Sequence, residues 1–140
     1  AARFGQILDL KEAVADGADV NSSDPTQGGK GAMHWAAEGG YTKIIKFLAD
    51  LGADVKCRDN DLQTPLHLAA GSGHVPAIQQ LVQLGAEVNA SNRAGFTPLH
   101  WASANGHPRA VLALLELGAC QWCVDWQGRT ALQLADYWNQ

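Results

Sequence analysis

The sequence predicts an all-α fold made of stacked helical units, and two repeated phrases carry that prediction. The fourth residue of the first phrase falls at positions 34, 67, 100 and 133, so its period is 33 residues throughout. The copies are Gly31-Ala32-Met33-His34, Thr64-Pro65-Leu66-His67, Thr97-Pro98-Leu99-His100 and Thr130-Ala131-Leu132-Gln133. The second phrase repeats out of phase, as Gly17-Ala18-Asp19-Val20, Gly52-Ala53-Asp54-Val55, Gly85-Ala86-Glu87-Val88 and a degraded Gly118-Ala119-Cys120-Gln121. Such a period is typical of stacked supersecondary units, not of one closed core.

Each unit contains two predicted helices, which are clearest between residues 64 and 85. Thr64 is a good N-cap, and Pro65 suits the first helical position, where a missing N–H costs nothing. We expect Gly71 and Gly73 to interrupt this short first helix. A second helix follows from about Val75, and apolar residues at i, i+3 and i+4 spacing predict one buried face. That face comprises Val75, Ile78, Leu81, Val82 and Leu84.

The neighbouring units have the same organisation. The corresponding apolar residues of the preceding second helix are Ile44, Ile45, Phe47, Leu48 and Leu51, and those of the following one are Val111, Leu112, Leu114, Leu115 and Leu117. The predicted boundaries are a partial first repeat at 1–21, full repeats at about 22–56, 57–89 and 90–122, and a partial last repeat at 123–140. The first two copies of the second phrase are 35 residues apart, which places two extra residues within 22–30 and predicts a longer connection there.

These phrases resemble the ankyrin-repeat family, whose pattern is Thr-Pro-Leu-His, then Ala, Gly-His, Leu and Gly-Ala-Asp-Val-Asn. The resemblance covers nearly the whole chain, with three consecutive matches in register. It implies an ankyrin-repeat solenoid, in which antiparallel helix pairs stack in a curved array and β-turn or hairpin fingers project between units. The chain departs from the pattern at Gly31-Ala32, at Leu62 and at 120–122. We therefore expect the turns at 62 and 120–126 to differ locally from the family.

Composition and charge narrow the range of partners. The 140 residues fit one domain, and a net charge of −4 opposes attraction to nucleic acid phosphates or anionic lipid. No run approaches the roughly 18 apolar residues of a membrane span, so we expect no direct membrane insertion. We expect an intracellular location, with the cytoplasm favoured and the nucleus or an organelle left open.

The histidines have a structural interpretation in this register. His34, His67 and His100 share one repeat position, and His74 and His107 share another. We predict that they hydrogen-bond neighbouring backbone and tie adjacent units together.

Only two of the three cysteines, Cys120 and Cys123, are spaced closely enough to resemble part of a metal or redox site. Cys120 and Cys123 have the spacing of half a zinc site or of a redox pair. Cys57 lies two repeats before Cys123, roughly 20 Å away if each packed helix adds 8–10 Å, which is too far for a disulfide or a shared metal. We predict small buried or turn residues, with no structural zinc and no bridge from Cys57 to the other two.

No other motif predicts catalysis. The segment Gly28-Gly29-Lys30-Gly31 lacks the spacing and the following Ser or Thr of a phosphate loop, and we interpret it as a longer finger. The repeated carboxylates lie a whole unit apart and do not converge on one substrate; they are Asp19, Asp54 and Glu87 at one position, and Asp59 and Asp125 at another. We predict that the protein is not an enzyme and has no metal and no cofactor.

One modification site follows from the resemblance. Asn89, preceded by Val88, Glu87 and Leu81, is similar to the ankyrin asparagine that some intracellular hydroxylases modify. The resemblance implies hydroxylation of Asn89, and the favoured alternative is an asparagine that bonds within its own turn.

Function is expected at the variable positions. The resemblance places partner contacts on the finger tips and on the exposed edge of the first helices. In this chain those positions include Asn60, Asp61, Gln63, Arg93, Phe96, Ala104, Asn105, Trp126, Arg129, Tyr137 and Trp138. Phe96, Trp126 and Trp138 are the expected aromatic anchors, and packing on a neighbouring finger is the alternative for the first two.

The predicted function is a non-catalytic protein–protein interaction module, scaffold or subunit of a larger assembly, with a protein partner of unknown identity. The alternative is a regulatory or targeting domain of a larger enzyme or channel. Because aromatic residues are dense near the C-terminal end, association through that end is a further expectation.

Overall fold

The computed structural model of the chain describes residues 23–24 and 30–138, with the side chains of 31–134. This part contains seven helices and one two-stranded hairpin. The helices are α1 (Ala32–Gly39), α2 (Thr42–Asp50), α3 (Pro65–Ser72), α4 (Val75–Gln83), α5 (Pro98–Ala104), α6 (Pro108–Glu116) and α7 (Ala131–Trp138). The hairpin pairs β1 (Ser23–Asp24) antiparallel with β2 (Lys30–Gly31), where the sequence predicts a longer connection.

The helices form two layers, as the 33-residue period predicts. The first helices α1, α3, α5 and α7 pack in succession, and the second helices α2, α4 and α6 form a parallel succession. Within each unit the first helix packs on the second, so the pairs are α1 with α2, α3 with α4 and α5 with α6. The all-α solenoid is therefore confirmed. The second helix predicted within 1–21 lies outside the described residues.

Reciprocal hydrogen bonds begin the first helices. Thr64 Oγ1 accepts from the amide of His67, and His67 Nδ1 accepts from the amide of Thr64 at 3.1 Å. Helix α3 ends at Gly73, whose φ of 77° is left-handed. The expected interruption at Gly71 is wrong, because this residue lies inside α3. Its missing side chain serves packing instead, since an added Cβ would lie 3.2 Å from Asn105 Nδ2 of the next unit.

The core lies between the two layers and runs along the stack. Its largest fully buried apolar side chains are Met33, Ile45, Leu48, Leu66, Ile78, Leu81, Leu99, Leu114 and Leu134. The predicted apolar faces are too wide, because four of their leucines are exposed: Leu51, Leu84, Leu112 and Leu115. Leu51 and Leu84 are C-cap residues at the ends of α2 and α4, beyond the packed face. Leu112 points outward from α6, at the position of the exposed Lys46 and Gln79.

Candidate protein-binding site

Three fingers, which contain residues 59–63, 92–96 and 125–129, are each held by one buried polar side chain. Asp59 Oδ1 accepts from the amides of Asp61 and Gln63 at 2.8 and 3.0 Å. Asn92 and Asp125 make the same pair of bonds to residues two and four positions later. The repeated acidic position therefore serves to fix the turn, a role that the sequence did not disclose.

The last finger adds an ion pair to this arrangement. Arg129 Nε lies 3.0 Å from Asp125 Oδ2. Burial by itself raises the pKa of Asp125, but hydrogen bonds from the Arg129 and Gln127 amides and from the Arg129 guanidinium outweigh it, so the pKa lies below its usual value. The charge of Arg129, a predicted contact residue, is thus already engaged within its own finger.

Three histidines connect each unit to the finger of the next, which confirms their structural interpretation. The Nε2 atoms of His34, His67 and His100 lie 2.8–2.9 Å from the carbonyl oxygens of Gln63, Phe96 and Arg129, respectively. Because a carbonyl only accepts, Nε2 carries the proton. The Nδ1 atom of each ring then accepts an amide hydrogen at the start of its own helix. Burial lowers the pKa of His67 to about 4, so this ring is neutral near pH 7.

The second pair of histidines packs on glycines of the preceding unit. An added Cβ at Gly40 would lie 2.6 Å from the ring of His74, and one at Gly73 would lie 2.7 Å from the ring of His107. These contacts also join adjacent units, as the sequence predicts.

The finger tips form a ladder of hydrogen bonds, which we call the finger ladder. The guanidinium of Arg93 donates to the carbonyl of Asn60 at 2.7 Å, and the indole of Trp126 donates to the carbonyl of Arg93 at 2.7 Å. Backbone bonds run beside them, from Arg93 N to Asp61 O at 2.8 Å and from Trp126 N to Ala94 O at 3.1 Å. The side chains of Arg93 and Trp126 thus each reach the same position in the preceding finger and fix the spacing between the three fingers.

The predicted contact residues fall into three groups. Asn60, Asp61, Arg93, Asn105 and Trp126 are exposed, whereas Gln63, Phe96, Ala104 and Arg129 are half-buried. Tyr137 and Trp138 lie in α7, but their side chains are outside the described residues.

The two finger aromatics differ in their surroundings. Trp126 keeps 74% of its surface exposed although its indole spans the preceding finger at Gly95. Phe96 does not stand free at a tip, because its ring stacks on His100 at 5.7 Å and meets Trp101 edge-on at 5.3 Å. Both ring contacts are with residues of α5, the first helix of its own unit.

Cys120 and Cys123 are more than the small buried or turn residues that the sequence analysis predicted, because they form a disulfide with each other. The prediction that Cys57 is bridged to neither of them is confirmed. The tight turn between them brings their Cα atoms to 5.6 Å, within the usual range for a bridge. Cys57 is a free thiol, and its sulfur lies 3.7 Å from His34 Nδ1. Burial, reinforced by the carboxylate of Asp54, raises the pKa of the Cys57 thiol to about 11.

Asn89 lies next to the disulfide. Its side chain is exposed, and its Oδ1 accepts from the amide of Cys120 at 2.7 Å. This asparagine side chain therefore bonds to the next unit.

The described part of the chain contains neither a metal-binding cluster nor a membrane-spanning helix. No group of three or more His, Cys, Asp or Glu side chains is placed there to hold a metal ion. No described helix is long and apolar enough to cross a bilayer.

The structure also contains an apolar groove in the last described unit, which the sequence analysis did not predict. Leu112 on α6, Trp122 after α6 and Leu132 at the start of α7 are exposed there. Comparing each residue with those 33 positions earlier would have disclosed two of them, because Leu112 and Trp122 replace polar residues.

The chain belongs to the ankyrin-repeat family. The family model described as ankyrin repeats (3 copies) matches residues 1–92 and 85–140, which together span the chain. Ankyrin repeats generally serve as protein–protein interaction modules.

Among curated proteins, the chain is similar to members with different roles. An ankyrin repeat protein of Acanthamoeba polyphaga mimivirus is 44% identical over 67 residues, which is 47% of this chain and 9% of that protein. Palmitoyltransferase akr1 of Schizosaccharomyces pombe is 41% identical over 64 residues, covering 45% and 10%. The 26S proteasome non-ATPase regulatory subunit 10 of Homo sapiens is 37% identical over 57 residues, covering 40% and 24%. The matched segments thus span at most about a quarter of these relatives.

Proposed function

We propose that this chain is a non-catalytic protein-binding module that engages a protein partner through its finger tips and first-helix edges. One observation supports the proposal above all: three fingers with the same fixed backbone present different exposed side chains at equivalent positions. The outermost position holds Asn60, Arg93 and Trp126 in successive fingers. A constant frame sets the spacing between contacts, and the variable tips set specificity.

The fixed frame favours tight recognition. Binding is weakened when a partner must order loops on contact, and the finger ladder already orders these. The tip chemistry runs from an amide at Asn60 through a cation at Arg93 to an indole at Trp126, and Arg and Trp are the residue types enriched at interface hot spots. We expect the partner to offer a carboxylate opposite Arg93 and an apolar cleft for Trp126.

A non-catalytic role agrees with how the polar side chains are used. Asp59, Asn92 and Asp125 accept hydrogen bonds from their own fingers, and the buried histidines bind backbone carbonyls. These groups support structure, so we propose a scaffold or assembly subunit that acts inside the cell.

The alternative is a regulatory or targeting domain within a larger enzyme. The similarity to palmitoyltransferase akr1 favours this alternative, because that relative is named as an enzyme and the matched segment is only 10% of its length. An immunoblot of native cells with an antibody raised against this chain separates the two proposals. A band several times larger than this chain supports the alternative.

The test of the finger surface is proximity labelling in cells with the wild-type chain and two variants. Trp126→Ala removes a finger tip, whereas Leu51→Ala removes an exposed apolar side chain at the end of α2, outside the fingers. We expect a set of labelled proteins shared by wild type and Leu51→Ala but lost with Trp126→Ala. If labelling by the two variants is indistinguishable, the finger surface is not the binding site.

We also propose Asn89 as a hydroxylation site, on the family resemblance and on the exposure of its side chain. Peptide mapping of protein from its native cells should show one added oxygen on this residue, and fully unmodified Asn89 would contradict the proposal.

A further inference from the structure

Three turns occupy equivalent positions between a second helix and the finger that follows it. They are residues 54–57, 87–90 and 120–123. Hydrogen bonds close the first two turns. The amide of Cys57 donates to the carbonyl of Asp54 at 3.4 Å, and Asp54 Oδ1 also accepts from the amide of Lys56 at 2.8 Å. In the second turn the amide of Ala90 donates to the carbonyl of Glu87 at 3.5 Å.

The third turn is closed by a covalent bond. Within the described part of the chain, no backbone amide or carbonyl of residues 121–124 takes part in a hydrogen bond. Gln121 is exposed at the position where the first turn buries Val55. The disulfide between Cys120 and Cys123 takes the place of these interactions. The covalent state of the two sulfurs therefore decides whether this turn stays closed.

One hydrogen bond connects the third turn to the preceding unit. Asn89 Oδ1 accepts from the amide of Cys120 at 2.7 Å. Because Asn89 is exposed, water competes for its side chain as soon as the Cys120 amide is no longer held in place. We expect this bond between units to depend on the disulfide.

The finger after the turn is held by contacts of its own. Asp125 Oδ1 accepts from the amides of Gln127 and Arg129, and the amide of Trp126 donates to the carbonyl of Ala94. None of these bonds involves residues 120–124. Opening of the turn should consequently leave the finger in place.

The disulfide is accessible to a reductant. Cys120 and Cys123 are both half-buried. At the repeat position of Cys120, Asp54 and Glu87 are exposed although a further unit lies beside each of them, whereas Ala90, at the position of Cys123, is 5% exposed. Access to Cys120 is thus a property of the repeat position, and Cys120 Sγ is the sulfur that is open to attack.

The size of the closed loop also favours a local role. Residues 120–123 form a loop of only four residues, and a disulfide across so short a loop removes little entropy from the unfolded chain. Two cysteines separated by two residues also have the spacing of dithiol–disulfide redox pairs. The bond therefore fixes one turn more than it stabilises the whole stack.

We propose that Cys120 and Cys123 form a reversible redox site whose co-reactant is a dithiol, and that reduction releases Asn89 from the Cys120 amide. A thiolate of the dithiol attacks Cys120 Sγ, which breaks the Cys120–Cys123 bond and gives a mixed disulfide and a Cys123 thiolate. The second sulfur of the dithiol then displaces Cys120. The dithiol becomes a disulfide, and its two electrons and two protons end on the two cysteine thiols. This site does not depend on the finger surface.

The test is reduction of the folded chain by dithiothreitol in buffer without denaturant, followed by amide exchange measured by NMR. The Cys57→Ser background leaves Cys120 and Cys123 as the only cysteines. Two double variants in this background differ only at residue 120. Cys120→Asp/Cys123→Ala installs the residue types found at Asp54 and Ala90, whereas Cys120→Ala/Cys123→Ala provides neither a disulfide nor a carboxylate.

We expect reduction at a rate proportional to the dithiothreitol concentration, and recovery of the disulfide when oxidised glutathione replaces the reductant. The amide of Cys120 should exchange at least about tenfold faster after reduction, while those of Trp126 and Arg129 change less than about twofold. In the Cys120→Ala/Cys123→Ala variant the amide of residue 120 should exchange as in the reduced protein. In the Cys120→Asp/Cys123→Ala variant it should stay protected, with and without reductant.

Three results would overturn the proposal. The first is reduction that occurs only in urea concentrations that unfold the chain, because the disulfide is then purely structural. The second is unchanged exchange of the Cys120 amide after complete reduction. The third comes from brief treatment with reduced glutathione, a monothiol, followed by acid quenching and peptide mapping. The mixed disulfide should be found on Cys120, and an adduct mainly on Cys123 would contradict the proposed attack.

Discussion

The protonation of His67 makes stability depend on pH at the level of one residue. Burial lowers its pKa from the 6.5 of an unperturbed histidine to about 4. The unfolded chain therefore takes up this proton at a higher pH than the folded chain does. The stability that the neutral His67 ring contributes is complete above about pH 6.5 and is lost as the pH falls from there towards 4. The shift corresponds to about 3 kcal/mol of unfolding free energy, measurable by urea denaturation across this range.

The control for His67 comes from the chain itself. Gln133 occupies the same repeat position, and its Oε1 accepts from the amide of Thr130 at 2.8 Å. His67→Gln should therefore keep the helix start while removing the titration, so its stability should decline less between pH 6.5 and 4. An unchanged pH dependence in this variant would assign the effect to other groups.

Leu62 is the other residue with a specific prediction. It has a φ of 61°, a left-handed value, whereas the same turn position holds Gly95 and Gly128 in the following fingers. Because a side chain in this conformation costs roughly 1–2 kcal/mol and Leu62 is exposed, Leu62→Gly should stabilise the protein by about 1 kcal/mol. Thermal unfolding of the two proteins gives the comparison.

The reverse substitution, from glycine to a residue with a side chain, should lower stability at the next finger. An added Cβ at Gly95 would lie 2.7 Å from the Trp126 amide nitrogen, so Gly95→Ala combines a left-handed φ with a steric clash. If Gly95→Ala is neutral, or if Leu62→Gly destabilises, backbone conformation does not control these turns.

At the scale of secondary-structure elements, local sequence signals were sufficient to predict the helices. Thr64 and Pro65 act within one turn of backbone, so the start of α3 could be predicted from the sequence. The finger ladder could not be predicted, because Arg93 and Asn60 are 33 residues apart and meet only after the units stack. Periodicity also assigned Leu112 to the buried face, since an exposed leucine and a core leucine look alike in a single sequence.

The disulfide is the element whose chemistry can be tested directly. Without reductant, alkylation should reach only Cys57, and slowly, because its thiol is half-buried and has a pKa of about 11. A dithiol reductant converts the Cys120–Cys123 disulfide to two thiols, as the reductant itself becomes a disulfide, and both cysteines should then alkylate. Amide exchange at Cys120 and the emission of Trp122 between the cysteines should change with reduction.

Cys57→Ser provides the control for this experiment. It should leave the reduction-dependent signals of Cys120 and Trp122 unaltered, since Cys57 takes no part in the disulfide. Labelling of Cys120 and Cys123 in protein that has never met a reductant would show that the turn holds two free thiols.

At the scale of the whole molecule, stability is carried by contacts between neighbours. The first helices pack in succession, as do the second helices, so the buried core runs from α1 to α7 through contacts between neighbouring units. Stability in such an array is approximately a sum of repeat and interface contributions. A local lesion should consequently weaken adjoining units before distant ones.

Leu114 is the position at which to test this. It is fully buried in α6, so Leu114→Ala should lower the unfolding free energy by about 2–5 kcal/mol. Leu112→Ala, in the same helix, removes a side chain that is 61% exposed and should change stability by less than about 0.5 kcal/mol. Hydrogen exchange of Leu114→Ala should show α5, α6 and α7 losing protection first and α1 and α2 last. Equal loss along all described helices would mean that the units unfold as one cooperative body, and the stack would then owe its stability to coupling stronger than its neighbour-only contacts provide.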